Sequence, residues 1–163
     1  MTADLENSLY LDVPAGRVVI ELLPDLAPVH VARIKELARQ GYYDGLAFHR
    51  VIDGFMVQTG CPNGTGTGGS GKKLKAEFSG ERHVRGICSM ARTSDPNSAD
   101  SQFFIMLAPS PHLDRQYSVW GRVTSGMEHI DAIKKGESRS GTVDDPDHIV
   151  KLQVAADTGS IAS

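Results

Sequence analysis

Cysteine is scarce in this 163-residue chain: only Cys61 and Cys88 are present. They form no Cys-x-x-Cys unit and no disulfide framework, which speaks against a disulfide-stapled scaffold and against a cysteine-held zinc. Reduced thiols in the cytoplasm are the expectation. Positive charge is not in surplus either. Lys and Arg number 17 against 20 Asp and Glu, for a net charge of -3, so neither nucleic acid nor an anionic membrane is expected as a partner. Long apolar runs are missing; stretches such as Val18–Ile20 and Ile105–Leu107 are far too short to span a bilayer. The opening MTADLENSLYLDV lacks the basic-then-apolar layout of a signal peptide. The histidines (His30, His49, His83, His112, His129 and His148) offer no i, i+4 pair on a helix, and no G-x-S-x-G elbow is present. No metal site and no activated nucleophile is therefore expected, although a Ser-His-Asp set with distant members is not legible in one sequence.

What is present is a series of short β-rich runs. LYLDV (9–13) and RVVIELL (17–23), separated by Pro-Ala-Gly, read as a hairpin. Val31, Ile34, Leu37 and Ala38 recur at helical spacing between Val29 and Gln40; Pro28 suits the first turn and Gly41 the stop. FHRVI and FMVQT flank Asp53-Gly54, a two-residue hairpin signal. GICSMA (86–91), SQFFIML (101–107), SVWGRV (118–123) and HIVKLQVAA (148–156) read as further strands. Met127, Ile130, Ala132 and Ile133 predict a second helix ending at Gly136, and the tail from Asp157 is expected to fray. With no internal repeat and no linker, residues 1–163 form one expected domain with its core at about 9–156. Many strands with two helices predict a mainly β, antiparallel sandwich or barrel, and a closed barrel plugged by a helix at each end fits the count.

Two segments could carry chemistry. GTGTGG (64–69) satisfies G-x-G-x-x-G, and GTGGSGKK (66–73) is one residue from a phosphate loop. Both motifs need a helix immediately after, so that its N-terminus meets phosphate. KLKAEFSGERH shows no helical stripe, so a surface loop is the expectation. The other segment, FHRVIDGFMVQTG (48–60), is apolar enough for core yet contains Arg50 and Gln58. Arginine is almost never buried unless paired or used. Arg50 is either a structural arginine held by a partner such as Asp53 or a working group; periodicity does not decide. A simple two-residue turn would put Arg50 on the face of Phe55, with Met56 and Gln58 opposite; a bulge would change this. Phe103 and Phe104, adjacent in a strand, must point to opposite faces.

FHRVIDGFMVQTG, GTGTGG, SMARTSDPNSADSQFFIM and HLDRQYSVWGRVTSGME, in this order, resemble the cyclophilin family of peptidyl-prolyl cis–trans isomerases. The resemblance runs from about Leu9 to about Ala156. It implies a closed eight-stranded antiparallel β-barrel capped by two α-helices, with an outer hydrophobic groove for an X-Pro peptide. It implies Arg50 as catalytic residue, Phe55, Met56, Phe104 and Leu113 as a proline pocket, and His49 and Gln58 as polar groove residues. Ala91 and Arg92 match a stretch that receives extended peptide backbone. No cofactor is implied. The implied partners are proline-containing peptides and unfolded or folding proteins, in an activity that assists folding; a non-catalytic proline-peptide module on the same fold is the alternative, and a monomer is the expectation. The chain departs from the family at His112, where the best-known members carry a tryptophan associated with cyclosporin binding. It departs again at Tyr117, where many carry histidine at the pocket rim, and at Arg92, which replaces a common asparagine. Weakened cyclosporin binding is the expected consequence.

Overall fold

The computed structural model describes residues 5–66 and 68–159. The first two apolar runs form β1 (Ser8–Val13) and β2 (Gly16–Leu22), an antiparallel hairpin that sets Leu9 opposite Ile20 and Leu11 opposite Val18, all buried. The helical stripe forms α1 (Pro28–Arg39), which buries His30, Val31, Ile34, Leu37 and Ala38. Pro28 needs no acceptor at the first turn. The next two backbone donors, Val29 N and His30 N, go to the Glu77 carboxylate at 3.2 and 2.8 Å. A distant acid thus caps a helix whose own preceding residue, Ala27, has no side chain to do so.

The remaining strands are β3 (Arg50–Ile52), β4 (Met56–Thr59), β5 (Ile87–Met90), β6 (Phe103–Met106), β7 (Val119–Ser125) and β8 (Lys151–Val154). All eight join one antiparallel sheet in the order β3-β4-β6-β5-β7-β2-β1-β8. The inner face carries Val51, Val57, Cys88, Ile105 and Phe103. The Phe103 ring meets Trp120 edge-on at 5.2 Å and Tyr43 at 5.4 Å. Full burial of such a side chain contributes about 1.5–3 kcal/mol. Phe104 leaves on the opposite face, as alternation demands, and joins Met56, Ile87, Met106, Leu113 and Val119 in a second apolar cluster.

The barrel is not closed by a ladder: β3 and β8 are the two edges of the sheet. β3 stops after three residues, and its free edge is taken by the returning chain at 136–143. Val51 N donates to Gly141 O at 2.8 Å, Gly136 N to Val51 O at 2.9 Å and Val143 N to His49 O at 3.1 Å. Near β8 the chain before β3 is tied by isolated pairing of Ala47 with His148, the bonds around it, and Leu152 N donating to Asp44 Oδ1 at 2.9 Å. The second helix, α2 (Met127–Asp131), is shorter than its apolar pattern suggests and ends before Ile133, which is buried without being helical. A third helix, α3 (Ala156–Gly159), occupies the start of the tail expected to fray, and Asp157 pairs with Arg39 at 3.1 Å; residues 160–163 lie outside the described part. Among the described residues no helix is long and apolar enough to cross a membrane.

Candidate active site

The hairpin around Asp53-Gly54 decides the site. Its loop has three residues, because Ile52 pairs with Met56 and not with Phe55. Phe55 N closes the turn on Ile52 O at 3.0 Å, with Gly54 left-handed at φ +73°. The simple two-residue assignment of faces is thereby overturned. Arg50 stands opposite Gln58, Gln58 opposite Phe104 and Phe104 opposite Ser89. Directly opposed residues share a face, so Arg50, Gln58, Phe104 and Ser89 form one row across β3, β4, β6 and β5. Ile52, Met56 and Met106 make the next outward row.

Arg50, Gln58 and Phe104 of this row floor a pocket of about 110 Å³ that is also lined by Phe55, Met56, Ala91, Arg92, Leu113 and Tyr117. The far wall comes from a single-turn 3-10 helix at Pro111–Leu113 and the chain to Tyr117, whose ring meets Phe104 edge-on at 5.4 Å. Arg50 is half-buried and bonds to neutral oxygens: Nε donates to Ser140 O at 2.7 Å and Nη1 to Gln58 Oε1 at 3.1 Å. Asp53 is exposed on the turn and does not hold it. The Arg50 guanidinium is thus held in place at the pocket without its charge being neutralised. Arg92 is fixed separately, donating twice to Gln116 O and once to Thr93 O while lying 4.8 Å over the Tyr117 ring.

Nine of the eleven sequence-selected residues therefore line the pocket. His112 does not, but its exposed ring sits at the rim, 6.0 Å from Phe55. His49 is not among the lining residues. It is buried, both ring nitrogens lack a hydrogen-bond partner, and its ring lies beneath Gly66. Burial lowers its pKa, the nearby Arg50 charge acts in the same direction, and the Ala47 backbone and Gln102 act against it.

Gln102 was not singled out from the sequence, although it stands two residues before Phe104 and alternation alone would aim both outward. Its amide accepts from Gln58 Nε2 at 3.0 Å and donates to Gly66 O and Gly68 O at 2.9 and 3.0 Å. The glycine loop is consumed internally. Gly66 N and Gly68 N donate to Cys61 Sγ at 3.2 and 3.3 Å, and no helix follows residue 71 before β5. Its described residues lack the following helix that a phosphate loop requires. Burial raises the Cys61 pKa, but these N–H bonds outweigh it and leave the thiol below its ordinary value. An adjoining cavity of about 480 Å³ shares Gln58, Ala91 and Arg92 and extends under the glycine loop to Lys73 and Asp100.

The sequence profile of the cyclophilin type peptidyl-prolyl cis-trans isomerase/CLD family matches residues 8–154. The chain is 53% identical over 169 aligned residues to a probable peptidyl-prolyl cis-trans isomerase of Brucella suis, covering 96% of this chain and 86% of that one. It is 43% identical to peptidyl-prolyl cis-trans isomerase B of Bacillus subtilis, covering 82% and 94%. Among solved structures, a cyclophilin from Hirschia baltica superposes with a TM-score of 0.86 at 30% identity, covering 96% of this chain and 77% of that one. A cyclophilin type isomerase from Cryptosporidium parvum, crystallised in the presence of the dipeptide Ala-Pro, superposes at 0.82 with 29% identity, covering 90% and 98%. With its sheet, its sequence and its relatives in agreement, the chain belongs to the cyclophilin type peptidyl-prolyl cis–trans isomerases.

Proposed function

We propose that this isomerase is a one-domain, monomeric folding assistant that turns X-Pro bonds in the pocket floored by Arg50, Gln58 and Phe104. The observation that carries the reading is the cross-strand row itself, which holds a fixed cation at the edge of an apolar pocket. An X-Pro bond resists rotation by about 18–20 kcal/mol through amide resonance, while its two isomers differ by only about 0.5–1 kcal/mol. Rotation returns a lone pair to the proline nitrogen. A donor held at that nitrogen stabilises the twisted state above either planar one, which is differential binding of the transition state.

Arg50 suits the task. Its guanidinium stays protonated and donates from a rigid fork, and Ser140 O and Gln58 occupy only Nε and Nη1. Phe55, Met56, Phe104 and Leu113 hold the proline ring. Gln58 and the Ala91–Arg92 backbone anchor the flanking peptide, with Tyr117 and His112 at the rim. His49 acts from beneath, under the glycine loop, and not by touching substrate. No covalent bond changes, so the reaction needs no metal, cofactor or nucleophile. The Ala-Pro dipeptide used with the Cryptosporidium relative supports a proline-containing ligand here. The free thiols Cys61 and Cys88 fit work in a reducing compartment, the cytoplasm.

An exchange experiment by NMR on an X-Pro peptide tests the reading: cis and trans signals should interconvert faster with enzyme present. Binding without acceleration would leave a proline-peptide module instead.

A further inference from the structure

Behind the pocket lies a buried histidine that the reaction does not use. His83 is 1% exposed. Its ring stacks on Phe104 with centroids 6.1 Å apart and planes 23° from parallel, and it meets the Tyr117 ring edge-on at 6.2 Å. Nε2 lies 3.1 Å from the hydroxyl of Ser89, the residue directly opposite Phe104. Nδ1 lies 3.3 Å from Asp114 Oδ1, which also accepts from His83 N at 2.7 Å. His83 O accepts from Ser110 N at 2.9 Å. One residue is therefore tied to the floor strands on one side and, on the other, to the segment that carries Leu113.

The protonation pattern follows from the partners. Asp114 sits below its usual range, chiefly because it accepts from the His83 backbone, so its carboxylate only accepts. Nδ1 must carry the proton. Burial holds the ring below the ordinary histidine value despite Asp114, so Nε2 is free to accept from Ser89. Each bond then has one donor and one acceptor.

We infer that His83 is a positioning residue, which fixes the Phe104 floor and the Leu113 wall relative to each other and so sets the width of the proline pocket. It acts through Phe104 and Leu113 and does not touch the peptide. The inference rests on the pocket being the isomerase site.

The test compares His83→Phe, which keeps a ring but loses every side-chain tie, with Asp114→Ala, which cuts the wall tie from the surface, and Asp114→Asn, which keeps an acceptor. Leu37→Ala, buried on α1 in the inner core, serves as a control for stability loss alone. Misplacement by about 1 Å can lower a rate about 10²-fold, so a partial shift should lower kcat/KM about tenfold in His83→Phe and Asp114→Ala. Part of that loss should appear as a raised KM, and Asp114→Asn should recover most of it. Leu37→Ala should lower the melting temperature and leave KM unchanged. If His83→Phe does not fold, Asp114→Ala decides. Unchanged kcat/KM and KM in the folded variants would overturn the role of His83, provided that Arg50→Ala loses roughly 10²–10³ in kcat/KM. An Arg50→Ala protein that isomerises at the normal rate would instead overturn the site.

Discussion

Arg50 and Gln58 face each other across the β3–β4 ladder, and Arg50 Nη1 donates to Gln58 Oε1 at 3.1 Å. Gln58 passes the tie to Gln102, and Gln102 grips two carbonyls of the glycine loop. The loop is thus the far end of a hydrogen-bond chain that begins at the guanidinium. Each neutral amide link in this chain contributes about 0.5–1.5 kcal/mol and the charged Arg50–Gln58 link about 1.5–3 kcal/mol, enough to favour one side-chain arrangement over its alternatives.

Cutting that chain should show in the rate. Gln58→Leu keeps the size of the side chain on β4 and removes both amide contacts. Ser140 O would still hold Arg50 Nε. The expected loss in kcat/KM is about tenfold, less than the 10²–10³ for losing a preorganised donor outright. An unchanged rate in steady-state isomerisation would mean that Ser140 alone sets Arg50.

The glycine loop should tolerate loss of its lysine and not of its glycines. Lys72 is exposed, and Lys72→Ala should isomerise at nearly the normal rate. Gly69→Val should fail for a steric reason: a Cβ there would meet Asp100 side-chain atoms at 2.7 Å, and Asp100 holds the loop through Ser70 N and Gly71 N at 2.6 and 3.0 Å. Thermal melts of both variants check this; a stable Gly69→Val protein would contradict it.

Stability should depend on pH in two stages. Burial holds His49 and His83 below the ordinary 6.5. Below that value the unfolded chain binds protons that the folded one refuses, so stability falls as pH falls from 6.5 toward the folded values. Asp131, lowered by Arg85, and Glu77, raised by burial but lowered more by His30 and Val29, add a second decline in the carboxylate range. As pH is lowered from about 7, melting temperatures should fall first in the histidine range, and fall less there in His49→Gln. A level profile through that range would contradict the assignment.

The rim should govern cyclosporin. His112 is exposed beside Phe55, and tryptophan would cover more apolar area with a single N–H donor. His112→Trp should tighten the drug by about 1–2 kcal/mol for partial ring burial. Calorimetry giving the same Kd for both proteins would rule this out.

Much of this was legible in the chain, and the failures have physical causes. The α1 stripe, the β1–β2 hairpin and the opposed faces of Phe103 and Phe104 follow from period and alternation, which local sequence encodes directly. The faces of Arg50 and Phe55 did not, because a single left-handed glycine added a residue to the turn and flipped the register. Closure of the barrel was over-read for a related reason: a β3 of three residues leaves an edge that residues 136–143, with no strand pattern, come back to cover. His49 was placed in the groove on resemblance; it precedes β3, where strand alternation does not apply, and the structure buries it against Gly66, outside the pocket lining. Gln102 and His83 were missed because their roles depend on partners 36 and 31 residues away, Gly66 and Asp114.

The central claim is that Arg50 stabilises the twisted amide. Its partners are a carbonyl and an amide, so Arg50→Ala strands no buried carboxylate and should melt close to the parent protein. Peptide affinity by NMR should fall little, since Phe55 and Phe104 remain, while Arg50→Lys should recover only part of the activity. The most direct measurement is kcat/KM of Arg50→Ala on an X-Pro peptide, taken with its melting temperature. The expected result is a fall of roughly 10²–10³ in a stably folded protein; a destabilised protein whose folded fraction isomerises at the normal rate would contradict the claim.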